Sequence, residues 1–237
     1  MWRAFFGCCE LMSKEPNTKS EHATTGAEHV AAILRDRIVK GELAPLDRIV
    51  ERRLSAELNV SRTPIREALK LLEADGLIEI NLHRGAIVSE YKPEEAFLLF
   101  DVIASLEALA ARRVTETMTA DVLHQLEDLH GIMLDHHRAG RTNDYFDLNT
   151  VIHDFIIQNC ANPVLIATHQ RLMIRARRGR FLAIMKPERL EQAVAEHEDL
   201  MQAFRDGNAQ RASDVWETHL RHTGETIAEV LASEEDS

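Results

Sequence analysis

Residues 46–75 read LDRIVERRLSAELNVSRTPIREALKLLEAD, and this stretch predicts two short helices joined by a tight turn. Asn59 suits the left-handed end of the first helix, because asparagine tolerates a positive φ better than most residues. Ser61 can cap the second helix, and Pro64 lies in its first turn, where a missing N–H leaves no intrahelical bond unmade. Two short helices with this joint are typical of a helix-turn-helix.

The second helix, predicted over residues 62–73, has two unlike faces on a helical wheel. The apolar face holds Pro64, Ile65, Ala68, Leu69, Leu71 and Leu72. The polar face holds Arg62, Thr63, Arg66 and Lys70. Two arginines four residues apart at the start of an exposed helix suit a recognition helix in the major groove, where a guanidinium can grip guanine or a phosphate. The solvated face of an ordinary helical hairpin would show the same pattern.

The residues after this helix predict a two-stranded wing. Gly76 ends the helix, and residues 77–80 and 86–89 read as short strands. The connection over residues 81–85 is rich in turn formers, and Arg84 presents a cation at its tip. A helix-turn-helix followed by such a hairpin is a winged helix.

This region resembles the GntR family of bacterial transcription regulators over about residues 28–90. Residues 51–69 carry the resemblance together with the short segments 76–78 and 84–86, and VSRTPIREAL at residues 60–69 is close to the family signature. The resemblance implies that a double-stranded DNA operator is the partner. It also implies DNA-contacting roles for Arg52, Arg62, Thr63, Arg66, Arg84 and Gly85.

The chain as a whole divides into three segments. We predict a disordered tail over residues 1–27, a winged helix-turn-helix domain over 28–91 and an all-helical domain over 92–237, and Met12 reads as a second possible start. The net charge is −11, yet residues 28–92 hold eleven basic and eleven acidic side chains, so the acidic excess lies in the second domain. DNA affinity must therefore come from a local cationic face and not from bulk charge.

Composition excludes two classes of protein. No apolar run approaches the roughly 20 residues that a membrane helix needs, and three cysteines make no disulfide framework. We therefore predict a cytoplasmic protein with no membrane partner.

The second domain is predicted to be a bundle of six helices. Their expected bounds are 93–117, 120–139, 144–160, 163–185, 188–206 and 209–232. The second of these helices is polar, and its histidines are expected to face solvent; they are His124, His130, His136 and His137.

The bundle resembles, more weakly, the FCD effector domain of the FadR-like branch of the GntR family. His153, His197 and His219 match the three histidine ligands of the metal site in that family. Asn149 stands where the family has an aspartate, so its amide oxygen can coordinate but brings no charge. The resemblance implies a divalent metal cofactor, zinc or nickel, on these four residues.

A second departure from the family concerns the effector. The family often has an arginine four residues before the Glu of a Leu-Glu pair, and here that place is Ile103, four residues before Glu107. Either the effector is less acidic than usual, or another arginine, such as Arg171 or Arg175, binds its carboxylate.

The sequence thus predicts a ligand-responsive DNA-binding transcription regulator, a repressor that binds an inverted repeat as a homodimer. The predicted effector is a small organic acid. A metal sensor and a metal-free regulator of a larger apolar ligand are the alternatives. A metal-dependent hydrolase is disfavoured, because the sequence has no His-Glu-x-x-His run and no Glu placed by motif as a general base.

Overall fold

A computed structural model describes residues 18–81, 85–90 and 92–235 of the chain. The first part is a winged helix built from three helices and three short strands. In chain order they are α1 (Thr18–Val39), β1 (Arg48–Ile49), α2 (Glu51–Glu57), α3 (Arg62–Ala74), β2 (Ile78–Asn81) and β3 (Gly85–Val88).

The start of α1 differs from the prediction. The helix begins at Thr18, so residues 18–27 are helical where the sequence predicted a disordered tail. This polar segment has no apolar stripe, which is the signal on which the predicted start at residue 28 depended. The remainder of the predicted tail, residues 1–17, lies outside the described residues.

The helix-turn-helix confirms the predicted turn and core face. Asn59 has a φ of +51°, and α3 begins directly after Ser61, although the Ser61 side chain makes no capping hydrogen bond. The residues of α3 that are fully buried are Ile65, Ala68, Leu69 and Leu72, while Pro64 and Leu71 are half-buried. They pack against the α1 residues Val30, Leu34 and Ile38 to form the core of this domain.

The wing contains one strand more than predicted. β3 lies between β1 and β2, and both pairs are antiparallel. Ile49 pairs with Ala86, and Asn81 pairs with Gly85 next to the turn of the hairpin. A strand of two residues has no periodicity, so β1 could not be predicted from the sequence pattern.

The second part confirms the predicted all-helical bundle. Residues 92–235, all described, form α4 (Pro93–Glu116), α5 (Ala120–Arg138), α6 (Thr142–Asn159), α7 (Pro163–Ile184), α8 (Pro187–Arg205) and α9 (Ala209–Glu235). α4 and α9 pack most closely, because Gly224 has no side chain: a Cβ there would lie 2.7 Å from Cβ of Phe100. Large side chains from several helices fill the core, among them Ile103, Tyr145, Phe146, Phe204 and Trp216.

α7 joins the two domains. Nη1 of Arg178 donates a hydrogen bond of 2.8 Å to the carbonyl of Ile38 near the end of α1. Beside this contact, a cleft of about 440 Å³ lies between α1 and the bundle; its lining includes Arg35, Val39, His169 and Arg177. None of the helices in the described ranges is long and apolar enough to cross a membrane.

Candidate functional sites

The surface of the winged helix presents the predicted DNA-contacting side chains. Arg52 on α2 is exposed, as are Arg62, Thr63 and Arg66 at the start of α3. Nε of Arg66 donates a hydrogen bond of 2.9 Å to Oε2 of Glu51, which ties the first turns of the two helices together. The side chains therefore point away from the core, as groove recognition requires.

The wing adds a cation that the sequence did not single out. A cleft of about 380 Å³ separates α3 from the wing and is lined by Arg48, Arg66, Lys70 and Gly85 among others. Gly85 has a φ of +75°, and a Cβ on it would lie 3.8 Å from Nε of Arg48. Arg48 was missed because its position depends on the unpredicted strand β1. The predicted contact Arg84 lies outside the described residues.

The structure brings the three predicted histidines together inside the bundle. His153 on α6, His197 on α8 and His219 on α9 are fully buried, and one ring nitrogen of each lies within 4.8 Å of the others. Their ring centroids are 5.0 to 5.7 Å apart, and the ring of Trp216 stacks on that of His219. Residues far apart in the chain thus converge on one point.

For two of the three rings, hydrogen bonds determine which nitrogen carries the proton and which one remains available to a metal. Nδ1 of His153 lies 2.5 Å from Oε2 of Glu107, and Nδ1 of His219 lies 2.7 Å from Oε2 of Glu196. An ionised carboxylate can only accept, so each Nδ1 carries the proton and each Nε2 keeps its lone pair. Carboxylates in this position orient metal-binding imidazoles and raise their basicity.

Glu107 is the central polar residue of the bundle. Besides the bond from His153, its carboxylate accepts one of 2.9 Å from Nε2 of His169 and one of 3.0 Å from Nε1 of Trp216. Burial opposes its ionisation, but the adjacent His153 and His169 hold the pKa of Glu107 well below its usual value. His169 also lines the cleft at the domain junction, so Glu107 connects the histidine cluster to that cleft.

The cluster presents unused coordinating atoms. Oδ1 of Asn149, Nε2 of His153 and Nε2 of His197 are buried and have no hydrogen-bond partner. Buried polar atoms are rarely left unpaired unless a ligand or ion completes them. An amide oxygen and imidazole nitrogens are donors that a divalent transition metal accepts, so these residues fit the metal that the family resemblance implies.

The rings are neutral at physiological pH, as metal binding requires. Burial and the charge of Arg180 lower the pKa of His153 to about 3. Burial lowers the pKa of His219 to about 4 against the opposing effect of Glu196, and burial lowers that of His197 well below its usual value.

An arginine that was not predicted from the sequence lies beside the cluster. Arg180 on α7 is 2% exposed, and neither Nη1 nor Nη2 has a hydrogen-bond partner. It shares the buried face of α7 with Ala176, Ala183 and Ile184. An arginine within a row of apolar residues at helical spacing is a sequence signal for a buried functional residue. Glu107 lies in a similar row on α4, one turn after the buried Ile103.

The two arginines predicted to bind the effector lie elsewhere. Arg171 and Arg175 are exposed on α7. Arg175 lies beside Gly76 of the winged helix and forms an ion pair of 3.2 Å with Glu95. The structure does not bring either of them to the histidines.

One histidine expected to face solvent is buried. His130 on α5 is 6% exposed, and its ring stacks on that of His197 with the centroids 6.3 Å apart. The prediction for His130 was wrong because α5 packs one edge of its polar surface against α8, which the sequence of α5 alone does not reveal.

A winged helix joined to an all-helical bundle with a buried polar cluster is the architecture of a DNA-binding regulator with a ligand-sensing domain. Comparison with known proteins gives the particular family. Residues 26–88 match the family of bacterial regulatory proteins called the gntR family, and residues 98–222, more than half of the chain, match the FCD domain. The chain belongs to the GntR family of transcription regulators and carries an FCD domain.

Relatives named for their function extend over both domains. The HTH-type transcriptional repressor RspR of Escherichia coli K12 is 25% identical over 210 residues, which are 88% of this chain and 92% of that protein. The HTH-type transcriptional repressor GlaR of the same organism is 28% identical over 199 residues, 79% of this chain and 89% of that protein. The solved structure of E. coli McbR/YncC has the same fold, with a TM-score of 0.74 at 19% identity over 89% of this chain and 98% of that one.

Proposed function

We propose that this regulator is a repressor that binds an inverted-repeat operator as a homodimer and responds to a small organic acid in its FCD domain. The observation that carries the proposal is the buried cluster of His153, His197 and His219 with its unpaired coordinating atoms. The names of RspR and GlaR, both repressors, support the sign of regulation.

In this proposal Asn149 and the three histidines hold a divalent metal, zinc or nickel. All four residues are neutral, so the protein gives the ion no balancing charge in direct contact. A bound divalent cation would supply Lewis acidity and attraction for an anion. An organic acid is therefore favoured over a larger apolar ligand, which would leave the buried polar atoms unpaired.

On DNA, α3 enters the major groove. Arg62, Thr63 and Arg66 contact bases and phosphates there, Arg52 contacts the backbone, and Arg84 and Gly85 of the wing reach the adjacent groove. Arg48 joins this surface because it lies on β1 beside Gly85.

The two sites are coupled through α7. This helix carries Arg180, which lies next to the histidine cluster, and His169, which is hydrogen-bonded to Glu107. It also carries Arg178, which donates a hydrogen bond to the last turn of α1. An effector that binds two arrangements of α7 with different affinity shifts the equilibrium between them and moves the winged helices relative to each other.

The homodimer uses an apolar face of α4. Leu98, Val102 and Leu109 lie on one side of that helix and are 66%, 50% and 41% exposed. We expect Val102→Glu to give a monomer by light scattering and to weaken operator binding. Val164→Glu, at an exposed apolar position on α7, is the matched control and should leave the dimer intact.

The experiment that tests the function combines metal content with operator binding. The protein is purified without chelator, and its operator is selected from random DNA. We expect about one metal ion per chain, and operator release on addition of an organic acid. His219→Ala should lose the ion and the response, whereas His124→Ala, at an exposed position on α5, should keep both.

Two other outcomes would favour the alternatives. Operator binding that depends on the metal without any organic acid would make the protein a metal sensor. A metal-free protein that still binds DNA would contradict the metal site and favour a different class of ligand.

A further inference from the structure

The unpaired atoms of the bundle core extend beyond the metal ligands. Tyr145, Asn149 and His153 are spaced by four residues, so they lie in one row along the inner face of α6. Oη of Tyr145, Oδ1 of Asn149 and Nε2 of His153 are all buried without a hydrogen-bond partner. The row therefore presents unused polar atoms over two helical turns.

Arg180 lies near the first residue of this row. The rings of Phe146 and Phe181 are in edge-to-face contact with centroids 5.1 Å apart, so the parts of α6 and α7 that carry Tyr145 and Arg180 pack together. The charge of Arg180 acts on Tyr145 and on all three histidines. Its Nη1 and Nη2 are thus two buried donors without an acceptor beside the proposed metal site.

Burying a guanidinium without a carboxylate in contact lowers the stability of the folded protein, so a buried arginine of this kind calls for a functional explanation. Arg189, the other fully buried arginine beside the histidines, has such a partner: its Nη1 lies 2.9 Å from Oε2 of Glu196. No described carboxylate within ion-pair distance serves Arg180 in this way. Its planar fork of two N–H donors matches one carboxylate in a bidentate arrangement.

The charges of the site indicate how many carboxylates the ligand brings. The positive charges of Arg180 and Arg189 are balanced by the negative charges of Glu107 and Glu196. The histidines and Asn149 are neutral, so the two charges of a divalent metal remain uncompensated. A ligand with two negative charges makes the filled site neutral.

We infer that the effector is a dicarboxylate, with one carboxylate compensating the metal and the other held by the guanidinium of Arg180 and the hydroxyl of Tyr145. This inference rests on the proposed function, because it names the class of acid that the FCD domain senses. Arg180 determines specificity, since a monocarboxylate leaves its two donors unpaired.

Titration calorimetry on the zinc-loaded protein tests the inference with pairs of acids of equal length: malonate with propionate, succinate with butyrate, and glutarate with valerate. We expect at least one dicarboxylate to bind about tenfold or more tighter than its partner, and Arg180→Gln to remove that advantage. The same variant should weaken dicarboxylate binding much more than monocarboxylate binding. Arg171→Gln, at an exposed position on α7, is the matched control and should bind all six acids like the unmodified protein. Zinc is measured after each titration to exclude its removal by the acids.

Thermal stability gives a second readout that a structural role would not produce. Without ligand, Arg180→Gln should melt at a higher temperature than the unmodified protein, because it removes a buried charge that no carboxylate contacts. A lower melting temperature or an unfolded variant would show that Arg180 has a structural role and would overturn the inference. Equal binding of dicarboxylates and monocarboxylates by the unmodified protein overturns the inference alone. Binding of none of the six acids overturns it together with the organic-acid part of the proposed function.

Discussion

Replacing Glu107 with glutamine tests whether the buried carboxylate positions the histidines of the proposed metal site. The carboxylate accepts three hydrogen bonds, from Nδ1 of His153, Nε2 of His169 and Nε1 of Trp216. Glutamine has nearly the same shape, but it has one acceptor oxygen and an NH₂ group that can only donate. The NH₂ group must therefore face at least one of the three N–H donors.

The size of the effect follows from the role of His153. Without an anionic partner on Nδ1, the imidazole loses basicity, and its preferred tautomer is no longer fixed. Loss of such a supporting partner typically weakens metal affinity by about 10- to 100-fold, which corresponds to about 1.4 to 2.8 kcal/mol. The affinity should fall by this amount without disappearing, because all four proposed metal ligands remain.

Competition with a chromophoric chelator measures the zinc affinity of both proteins, and far-ultraviolet circular dichroism checks that the variant is folded. Glu116→Gln is the matched control. Glu116 lies on the solvent side of α4, where it pairs with Arg112 at 3.0 Å, and 47% of its side chain is exposed. The control should change the zinc affinity by less than about twofold, since exposed pairs contribute little. A folded Glu107→Gln protein with unchanged zinc affinity would refute the assigned role of Glu107.

Three further predictions concern the DNA surface, the metal ligands and pH. Arg62→Ala and Arg66→Ala should each cost about 1–3 kcal/mol of operator binding in a fluorescence anisotropy assay; operator affinity like that of the unmodified protein in both would show that α3 is not the recognition helix. Asn149→Asp should raise zinc affinity by about tenfold or more, because it adds a negative charge to the ligand set, and should weaken binding of acids in the same calorimetric titrations. The metal-free protein should lose stability as pH falls from 6.5 toward 4, because the pKa values of His153 and His219 are about 3 and 4 in the folded state and 6.5 when unfolded, so the unfolded chain binds more protons in that window. At pH 5 each ring should cost about 2 kcal/mol of unfolding free energy in urea denaturation; a stability that does not change between pH 7 and pH 5 would contradict the burial of neutral rings.

Local patterns were sufficient for most of the fold. The turn at Asn59, the core face of α3 and the helices of the bundle depend on residues close together in the chain, so their spacing reveals them. β1 and the first ten residues of α1 were missed, because a two-residue strand and a polar helical segment have no hydrophobic period.

Some residues of the candidate sites could be predicted from the sequence, and others could be recognised only in the tertiary structure. The sequence by itself determined the exposed arginines of α3, and it determined the three histidines because they match a family pattern. Only the tertiary structure decided that these histidines meet within 4.8 Å and that Glu107 supports one of them. It also decided that Arg180, and neither Arg171 nor Arg175, lies beside them. The physical reason is that helices from distant parts of the chain pack specific faces against one core. A local sequence pattern shows which face of a helix is buried, but not which polar side chains of different helices come into contact.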